Sequence, residues 1–327
     1  MKDWTHDGSS IDQIRARYGP WTAMSIQLPD GTSTLAPAVD HRLKRLVQIA
    51  SDLSAKPLSE CRVLDLACLE GHYGIEFAMH GAEVVCVEIR EANLAKAAYA
   101  AHALGLGRCR IVQDDVRNLN RPQYGEFDII ICSGILYHLP AEDVAALVRN
   151  MRACCRGVCI VDTYIATHES AFVEIDGRRF GGYRYKEHDE GATELQKADD
   201  LWASIDNATS FWFTVNGLAT LFASAGFTSC SETLLPSHPG VTYDRRTFVA
   251  VSGAPARILS SPMADAAGHV DSGVPDPANL HPYQIDHGVA FRLGKKMLPQ
   301  SVKDAVKPTL RKLGILKTEP ARFQSRH

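Results

Sequence analysis

The sequence predicts an α/β fold in which helices cover both faces of a doubly wound, mostly parallel sheet. Two observations lead to this prediction. Five short apolar runs alternate with segments of helical periodicity between residues 62 and 162, and such alternation produces βαβ units with right-handed crossovers. Two later apolar runs, 228–235 and 246–251, are separated by too few residues for a helix, which indicates an antiparallel pair.

The elements follow one another regularly along the chain. The predicted strands cover residues 62–67, 83–88, 109–113, 127–132 and 157–162. The fourth of them is apolar without interruption, which is typical of a strand that is buried on both faces. Helical spacing of apolar residues, most clearly at Leu43, Leu46, Val47 and Ile49, predicts helices over residues 40–53, 71–80, 93–104, 141–152 and 217–225.

Composition divides the chain into four parts. An N-terminal leader or cap covers residues 1–57, and the sheet domain covers residues 58–253. Within that domain, residues 165–212 mix glycine, charge and aromatic side chains, and an insert of this length is usually functional or carries its own structure. Residues 254–285 have the composition of a linker, and residues 286–327 form a basic amphipathic tail.

The charge of the chain is unevenly distributed. From Arg292 onward, ten Lys or Arg residues face two acids, a net charge of +8, so the remainder carries -11 of the total of -3. Val302, Val306, Leu310 and Leu313 have helical spacing between these cations, which predicts a helical tail. Such a tail can lie on an anionic membrane surface, contact a partner protein or RNA phosphates, or remain solvated.

Composition also bears on the cellular location of the protein and on whether its cysteines bind zinc or form disulfides. Nine cysteines without a C-x-x-C pair indicate reduced, buried thiols in place of a zinc ribbon or a disulfide framework. The N-terminus lacks an apolar signal-peptide region, and no run of about 18 apolar residues occurs. We therefore expect a cytoplasmic protein, with the basic tail as its one segment that can be peripheral to a membrane.

Residues 63–74 are the first candidate for a ligand site, because they span a strand end, a tight turn and a helix start. Open parallel sheets bind ligands outside the carboxyl ends of their strands, where a helix N-terminus offers free N–H groups. Glu88 ends the second strand, where a carboxylate can bind ribose hydroxyls. Asp115 and the backbone N–H of Val116 follow the third strand, where they can bind an adenine edge.

The turn itself distinguishes between two cofactor classes. A dinucleotide requires glycines that let the backbone approach a pyrophosphate, but Ala67 and Leu69 occupy two of those positions. S-adenosylmethionine has no pyrophosphate and tolerates these side chains better. Asp65 can organise the loop near the amino-acid end of that cofactor.

Four segments in this order, 63–71, 87–88, 114–116 and 127–139, resemble the class I S-adenosylmethionine-dependent methyltransferases. The resemblance covers roughly residues 60–165 and extends more weakly to residue 253. It implies a seven-stranded sheet with one antiparallel strand and S-adenosylmethionine as the cofactor. The cofactor contacts that it implies are Asp65, Ala67, Gly71, Glu88, Asp115, Val116 and Ser133. Ala67 and Leu69 depart from the family pattern, which leaves an inactive relative as an alternative.

Methyl transfer to a hydroxyl requires a base beside the acceptor. His138 follows the fourth strand and is the candidate base; the alternative is a structural histidine before Pro140. Asp162 ends the fifth strand, where it can orient His138, bind a substrate hydroxyl or help to hold a metal; the alternative is a strand-end cap or ion pair. Without a tight cluster of histidines and acids, we predict no metal.

Aromatic and polar residues outside these motifs are candidates for acceptor binding. Those predicted to contact the substrate are Trp21, Tyr137, Trp202, Asp206, Trp212 and His238. Together they suggest a platform for a carbohydrate or heterocycle, and the alternative is a packed lid over the sheet.

The sequence therefore predicts an enzyme that methylates a hydroxyl of a small-molecule or glycan acceptor. A second hypothesis makes RNA the substrate, because residues 21–32 resemble the leader of enzymes that modify tRNA wobble uridines or small natural products. The acidic body disfavours nucleic acid as a partner. A third hypothesis is a catalytically inactive module that docks through its basic tail.

Overall fold

The structure is a computed structural model that describes residues 1–23, 25–234 and 242–261. The strands are β1 (Lys2–Trp4), β2 (Arg62–Leu66), β3 (Glu83–Glu88), β4 (Cys109–Gln113), β5 (Phe127–Ser133), β6 (Cys155–Tyr164), β7 (Ala171–Ile175), β8 (Arg178–Lys186), β9 (Thr209–Phe213), β10 (Ser229–Thr233) and β11 (Arg245–Val251). The helices are α1 (Ile11–Tyr18), α2 (His41–Leu53), α3 (His72–Met79), α4 (Glu91–Ala103), α5 (Arg121–Tyr124), α6 (Ala141–Cys154), α7 (Glu194–Asp199) and α8 (Val215–Ala225).

The main sheet has eight strands in the order β1-β4-β3-β2-β5-β6-β11-β10. Strands β2 to β6 are parallel to one another, and β11 is antiparallel to both β6 and β10. The seven strands from β4 to β10 confirm the predicted sheet with one antiparallel strand and the predicted pairing of the last two strands.

The eighth strand is an addition that the sequence did not predict. β1 pairs antiparallel with β4, so that Lys2 lies opposite Gln113 and Trp4 opposite Ile111. A strand of three residues is too short to show the alternation of apolar and polar side chains from which strands are predicted. Its hydrogen-bond partners are the backbone groups at the open edge of β4. The leader is therefore attached to the sheet at its first residues.

The sheet divides the core into two layers. Alternate residues of β5 point to opposite faces: Ile130 and Cys132 join a cluster with residues of α6 and α8, while Ile129 and Ile131 join a cluster with residues of α2, α3 and α4. Because both faces are covered between Ile129 and Cys132, none of these positions needs a polar residue, which accounts for their uninterrupted apolar run.

The insert carries its own structure. β7, β8 and β9 form a three-stranded antiparallel sheet, which packs against the main domain through the buried side chains of Phe180, Phe211 and Phe213. The N–H of Phe211 donates to the carbonyl of Leu139 at 3.0 Å. This bond ties β9 to the segment that follows β5.

The remaining sequence predictions concern the cysteines, membrane spans, metal sites and the C-terminal segments. All nine cysteines are free thiols, and seven of them are buried. In the parts of the chain that the structure describes, no helix has the length and hydrophobicity of a membrane span, and no three His, Cys, Asp or Glu side chains are grouped as a metal site requires. His238, most of the predicted linker and the whole basic tail lie outside the described residues.

Candidate active site

A cavity of about 310 Å³ opens beyond the carboxyl ends of the parallel strands, where an open α/β sheet binds its ligands. Its wall includes most of the predicted site residues, namely Ala67, Glu88, Asp115, Val116, Ser133, Tyr137, His138, Trp202 and Asp206. Residues that are far apart in the sequence therefore face one space.

Residues 67–71 connect β2 to α3, and we call them the cofactor loop. Asp65 and Gly71, both predicted to contact the cofactor, do not line the cavity, and their contact with the cofactor stays a prediction. The buried Asp65 carboxylate accepts a hydrogen bond of 2.8 Å from the N–H of Gly74 and so fixes the start of α3. Burial raises the pKa of Asp65 to about 7, against the opposing effect of that bond. Gly71 has φ of 86°, and a Cβ there would lie 2.9 Å from the Cβ of Ala97.

Ala67 and Leu69 both line the cavity, with φ of 52° and 49°. This left-handed region favours glycine and costs other residues roughly 1–2 kcal/mol each. The loop thus keeps the backbone shape of a glycine-rich turn without the glycines. Two bonds hold it: Cys68 N–H donates to the carbonyl of Val87, and Leu69 N–H donates to Glu88 Oε2, both at 3.0 Å.

Glu88 places a buried carboxylate at the end of β3 and in the cavity wall. Its Oε1 accepts bonds from the N–H groups of Ile89 and Arg90, at 2.7 and 2.8 Å, and its Oε2 accepts the bond from Leu69. Burial raises the pKa of Glu88 despite these donors. Each carboxylate oxygen has two lone pairs, so Oε2 retains an acceptor position for a ligand hydroxyl.

The end of β4 is connected to the insert through Arg117. Its guanidinium binds the Asp115 carboxylate and also lies 2.6 Å from Asp206 Oδ2. Asp114, in contrast, accepts hydrogen bonds from Tyr124 Oη and Asn118 Nδ2, at 2.7 and 2.8 Å. Asp114 and Asp115 both line the cavity, but the Asp114 carboxylate is occupied by Tyr124 and Asn118, and Asp206 contributes to closing the cavity.

Residues 201–206 of the insert lie across the cavity, and we call them the lid. Arg90 Nη2 donates to the carbonyl of Ala203 at 2.9 Å, which adds a second tie between the lid and the sheet beside the Arg117–Asp206 pair. Trp202 lines the cavity and is 64% exposed. The lid is thus tied to the sheet by one bond to its backbone and one to its Asp206 side chain.

His138 and Asp162 do not form a pair, which corrects the hypothesis that Asp162 orients the histidine. His138 Nδ1 lies 2.9 Å from Glu187 Oε2. Asp162 accepts bonds of 2.6 Å from Arg245 Nε and 2.8 Å from Thr247 Oγ1. Thr247 lies opposite Asp162 in the antiparallel ladder, so its strand neighbours occupy this carboxylate.

Glu187 was missed because it follows β8 in the insert and belongs to no recognisable motif. Its side chain is fully buried. An acid that follows an aromatic-rich strand was the only signal in the sequence, and solvated acids produce the same signal.

Trp21 and Trp212, both predicted to bind the substrate, pack against other side chains and do not line the cavity. Trp21 is 1% exposed and packs with Ala95, so it is a core residue. Trp212 lies between Tyr164 and Tyr185, with ring centroids 5.1 and 4.8 Å away, and it does not line the cavity. Its Nε1 donates to the carbonyl of Tyr137 at 2.9 Å, so it supports the segment that carries His138.

A buried ion pair that the sequence did not reveal holds the leader against the cofactor loop. Lys96 of α4 and Glu70 of the loop are 1–2% exposed, with Nζ 3.1 Å from Oε1. Lys96 also donates to the carbonyl of Pro20, and the Glu70 carboxylate accepts bonds from the N–H groups of Thr22 and Ala23. Ala23 lines the cavity, so this cluster closes one side of it.

Arg42 and Arg245 line the same cavity beside Asp162. Arg42 Nε lies 3.4 Å from Asp162 Oδ1 but is a buried donor without a hydrogen-bond partner among the described residues. A buried donor of this kind is costly unless it is paired. The wall therefore offers a guanidinium that a carboxylate of a ligand would satisfy.

Comparison with known proteins agrees with this geometry. A family model described as "Methyltransferase domain" matches residues 63–157, which extend from β2 into β6 and include the cofactor loop, Glu88, Asp115 and His138. The match assigns residues 63–157 to a methyltransferase domain. The methyltransferase domain thus contains the local motifs, while the insert with Glu187 lies outside the matched region.

Among curated proteins, the chain matches a ubiquinone biosynthesis O-methyltransferase of Acinetobacter baumannii. The two are 30% identical over 109 residues, which are 33% of this chain and 45% of the relative. The chain thus spans about half the length of the curated relatives it matches.

Among solved structures, the chain is similar to the N-terminal domain of EvdMO1 in the presence of SAH and D-fucose. The TM-score is 0.57 at 18% identity, over 77% of this chain and 98% of that one. The same domain with SAH bound gives a TM-score of 0.51 at 20% identity, over 67% and 82% of the two chains. These likenesses establish the fold.

Proposed function

We propose that the chain transfers a methyl group from S-adenosylmethionine to a hydroxyl of a small, polar or sugar-containing acceptor. One observation carries the proposal: a single cavity has the Glu88 carboxylate in one part of its wall and the His138 imidazole in another. A site for a nucleoside and a candidate base thus face the same space, as transfer to a hydroxyl requires.

The residues around the cavity fit the cofactor. Glu88 would bind ribose hydroxyls through Oε2, and Asp115 with the N–H of Val116 would bind the adenine. The Arg42 guanidinium in the cavity wall suits the carboxylate of the methionine part. When bound, S-adenosylmethionine supplies a methyl group on a positively charged sulfur.

The remaining wall suits an acceptor hydroxyl. His138 lines the cavity beside Tyr137, with its Nδ1 occupied by Glu187. Its other nitrogen would accept the hydroxyl proton. The name of the Acinetobacter relative, an O-methyltransferase, and the D-fucose present with the EvdMO1 domain both support an oxygen acceptor that includes sugars.

Isothermal titration of the full chain with S-adenosylmethionine tests the cofactor part, and we expect a dissociation constant in the micromolar range. Absence of binding at high micromolar cofactor would contradict the proposal. A panel of sugars, phenols and amines, analysed by mass spectrometry for products heavier by one methylene, tests the acceptor part. Products from amines alone would show that the acceptor atom was assigned wrongly.

The RNA and docking hypotheses depend on the basic tail, which lies outside the described residues, and both stay predictions. Salt-dependent tRNA binding that is lost on deletion of residues 286–327 would favour the first. Flotation with anionic liposomes that requires the tail, together with no cofactor binding, would favour the second.

A further inference from the structure

We propose that Glu187 is a positioning residue that fixes His138 as the proton acceptor of the methyl-transfer site. This inference rests on the function proposed above and deepens it, because it assigns part of the chemistry to the insert. The residues that match the methyltransferase family model end at 157, so Glu187 belongs to the structure that surrounds the shared domain.

The geometry around Glu187 is that of a built site. Its fully buried carboxylate accepts a 2.6 Å bond from Ser210 Oγ and a 2.9 Å bond from the N–H of Ser204, and it lies 2.9 Å from His138 Nδ1. Three donors thus come from β9, the lid and the short helix after β5. A carboxylate with this set of partners has one position and one orientation.

This arrangement determines which ring nitrogen of His138 carries the proton. An ionised carboxylate only accepts hydrogen bonds, so the contact requires a proton on Nδ1. The neutral ring then has its lone pair on Nε2. Because His138 lines the cavity, the ring can accept a proton from a ligand there.

The same carboxylate stabilises the ring after proton uptake. Burial alone would raise the pKa of Glu187. The hydrogen bonds from His138, Ser210 and Ser204, together with the charge of His138, lower it. Glu187 is therefore an anion beside the ring at neutral pH, and an anion at this distance favours the imidazolium.

The transfer step is balanced with this assignment. The acceptor oxygen forms a bond to the methyl carbon while the bond from that carbon to sulfur breaks, and sulfur retains the electron pair. The hydroxyl proton moves to His138 Nε2 and later to solvent. Glu187 keeps its charge throughout and does not take the proton.

Other charged groups share the space around His138 and would act on its titration as well. Those that line the cavity are Asp40, Arg42, Glu88, Arg90, Asp114, Asp115, Arg117, Asp206 and Arg245, and Tyr137 is the neighbouring titratable ring, with its centroid 4.2 Å away. None of them is hydrogen-bonded to Nδ1 in the described residues. A substitution at Glu187 leaves all of them unchanged and isolates its effect.

The test is NMR of the full chain labelled with ¹⁵N and ¹³C in histidine, without cofactor or acceptor, at a pH where the ring is neutral. His138→Gln identifies the His138 signals by their loss. In the wild type we expect a neutral ring protonated at Nδ1. In Glu187→Ala, where Nδ1 has lost its acceptor, we expect a measurable share of the ring to be protonated at Nε2. Glu190→Ala, an exposed acid in the same segment, is the matched control.

Glu187→Asp is the second variant, because it keeps the carboxylate on a shorter side chain. We expect its share of ring protonated at Nδ1 to lie closer to that of the wild type than the share in Glu187→Ala does. A purely structural role predicts the same tautomer in both variants. An unchanged tautomer in Glu187→Ala, or a wild-type ring protonated at Nε2, would overturn the proposal.

Calorimetry with S-adenosylmethionine separates this inference from the proposed function. We expect Glu187→Gln to bind the cofactor within about threefold of the wild type, while turnover of any acceptor found in the panel falls roughly 10- to 100-fold in kcat. If the wild type binds no cofactor, the proposed function fails while the NMR result still decides whether Glu187 positions His138.

Discussion

The cofactor loop and the insert face the same cavity but are held in different ways. In the cofactor region, the contacts that shape the site join residues close in sequence: Gly74 and Asp65 are 9 residues apart, and Leu69 and Glu88 are 19 apart. In the insert, the corresponding contacts span 49 residues from His138 to Glu187 and 113 from Arg90 to Ala203. The cofactor loop is thus fixed on the sheet by local contacts. The leader, whose Thr22 bonds to Glu70 from 48 residues away, and the insert reach the cavity only by docking of distant segments.

The largest expected effect tests whether the cofactor region is self-contained. Lys96→Met leaves the buried Glu70 carboxylate without its cation, and breaking one side of a buried ion pair costs about 3–5 kcal/mol. Urea unfolding should show this loss, and Lys96→Met with Glu70→Leu should recover part of it. Lys186→Met, which breaks an exposed pair in the insert, should leave the free energy of unfolding nearly unchanged.

The pH dependence of stability tests the same region through the buried side chain of Asp65. The pKa of Asp65 is raised to about 7 in the folded state from 3.8, so the folded state binds this proton more tightly than the unfolded state. Its stabilisation is complete below about pH 4 and is lost as the pH rises toward 7, by roughly 2–4 kcal/mol. Asp65→Asn should flatten this part of the unfolding profile; an unchanged slope would contradict the assignment.

Substitution at the end of β3 should separate cofactor binding from the insert. Glu88→Ala removes a charged hydrogen-bond acceptor, which is worth about 2–3 kcal/mol, or roughly 30- to 150-fold in the dissociation constant for S-adenosylmethionine. Calorimetry measures it. Glu83→Ala, at the exposed start of the same strand, should bind normally, and equal losses in both variants would show that the effect comes from the strand.

Loss of the connection between the two regions should have a smaller effect. Arg117→Ala frees Asp206 and the lid, and we expect about tenfold weaker cofactor binding, or about 1.4 kcal/mol. Limited proteolysis should cut the lid faster in this variant. Arg149→Ala, which removes an exposed pair with Asp176, should change neither measurement.

The smallest expected effect is an increase in the free energy of unfolding. Ala67→Gly relieves a left-handed residue and should raise the free energy of unfolding by about 1 kcal/mol. Ala219→Gly, in the middle of helix α8, should lower it by about the same amount. Thermal unfolding of the two variants measures the difference, and shifts of the same sign would argue against backbone strain at Ala67.

The difference between the two regions also explains which predictions succeeded. The strands β2 to β6 lie within two or three residues of their predicted positions, because apolar runs and helical periodicity are local properties. Glu88 and Asp115 line the cavity for the same reason, since a residue at a strand end has a known place in a parallel sheet. The sheet of the insert was not predicted, because Gly, Arg and aromatic residues in β8 show no clear period.

The sequence by itself determined the alternation of strands and helices, the position of the cofactor loop and the acid at the end of β3. Only the tertiary structure decided that Glu187 contacts His138, that Arg245 and Thr247 occupy Asp162, and that Trp21 is buried. Pairings of this kind depend on how separate elements pack against one another. A carboxylate binds whichever donor the packing brings within 3 Å, and sequence position alone does not specify that donor.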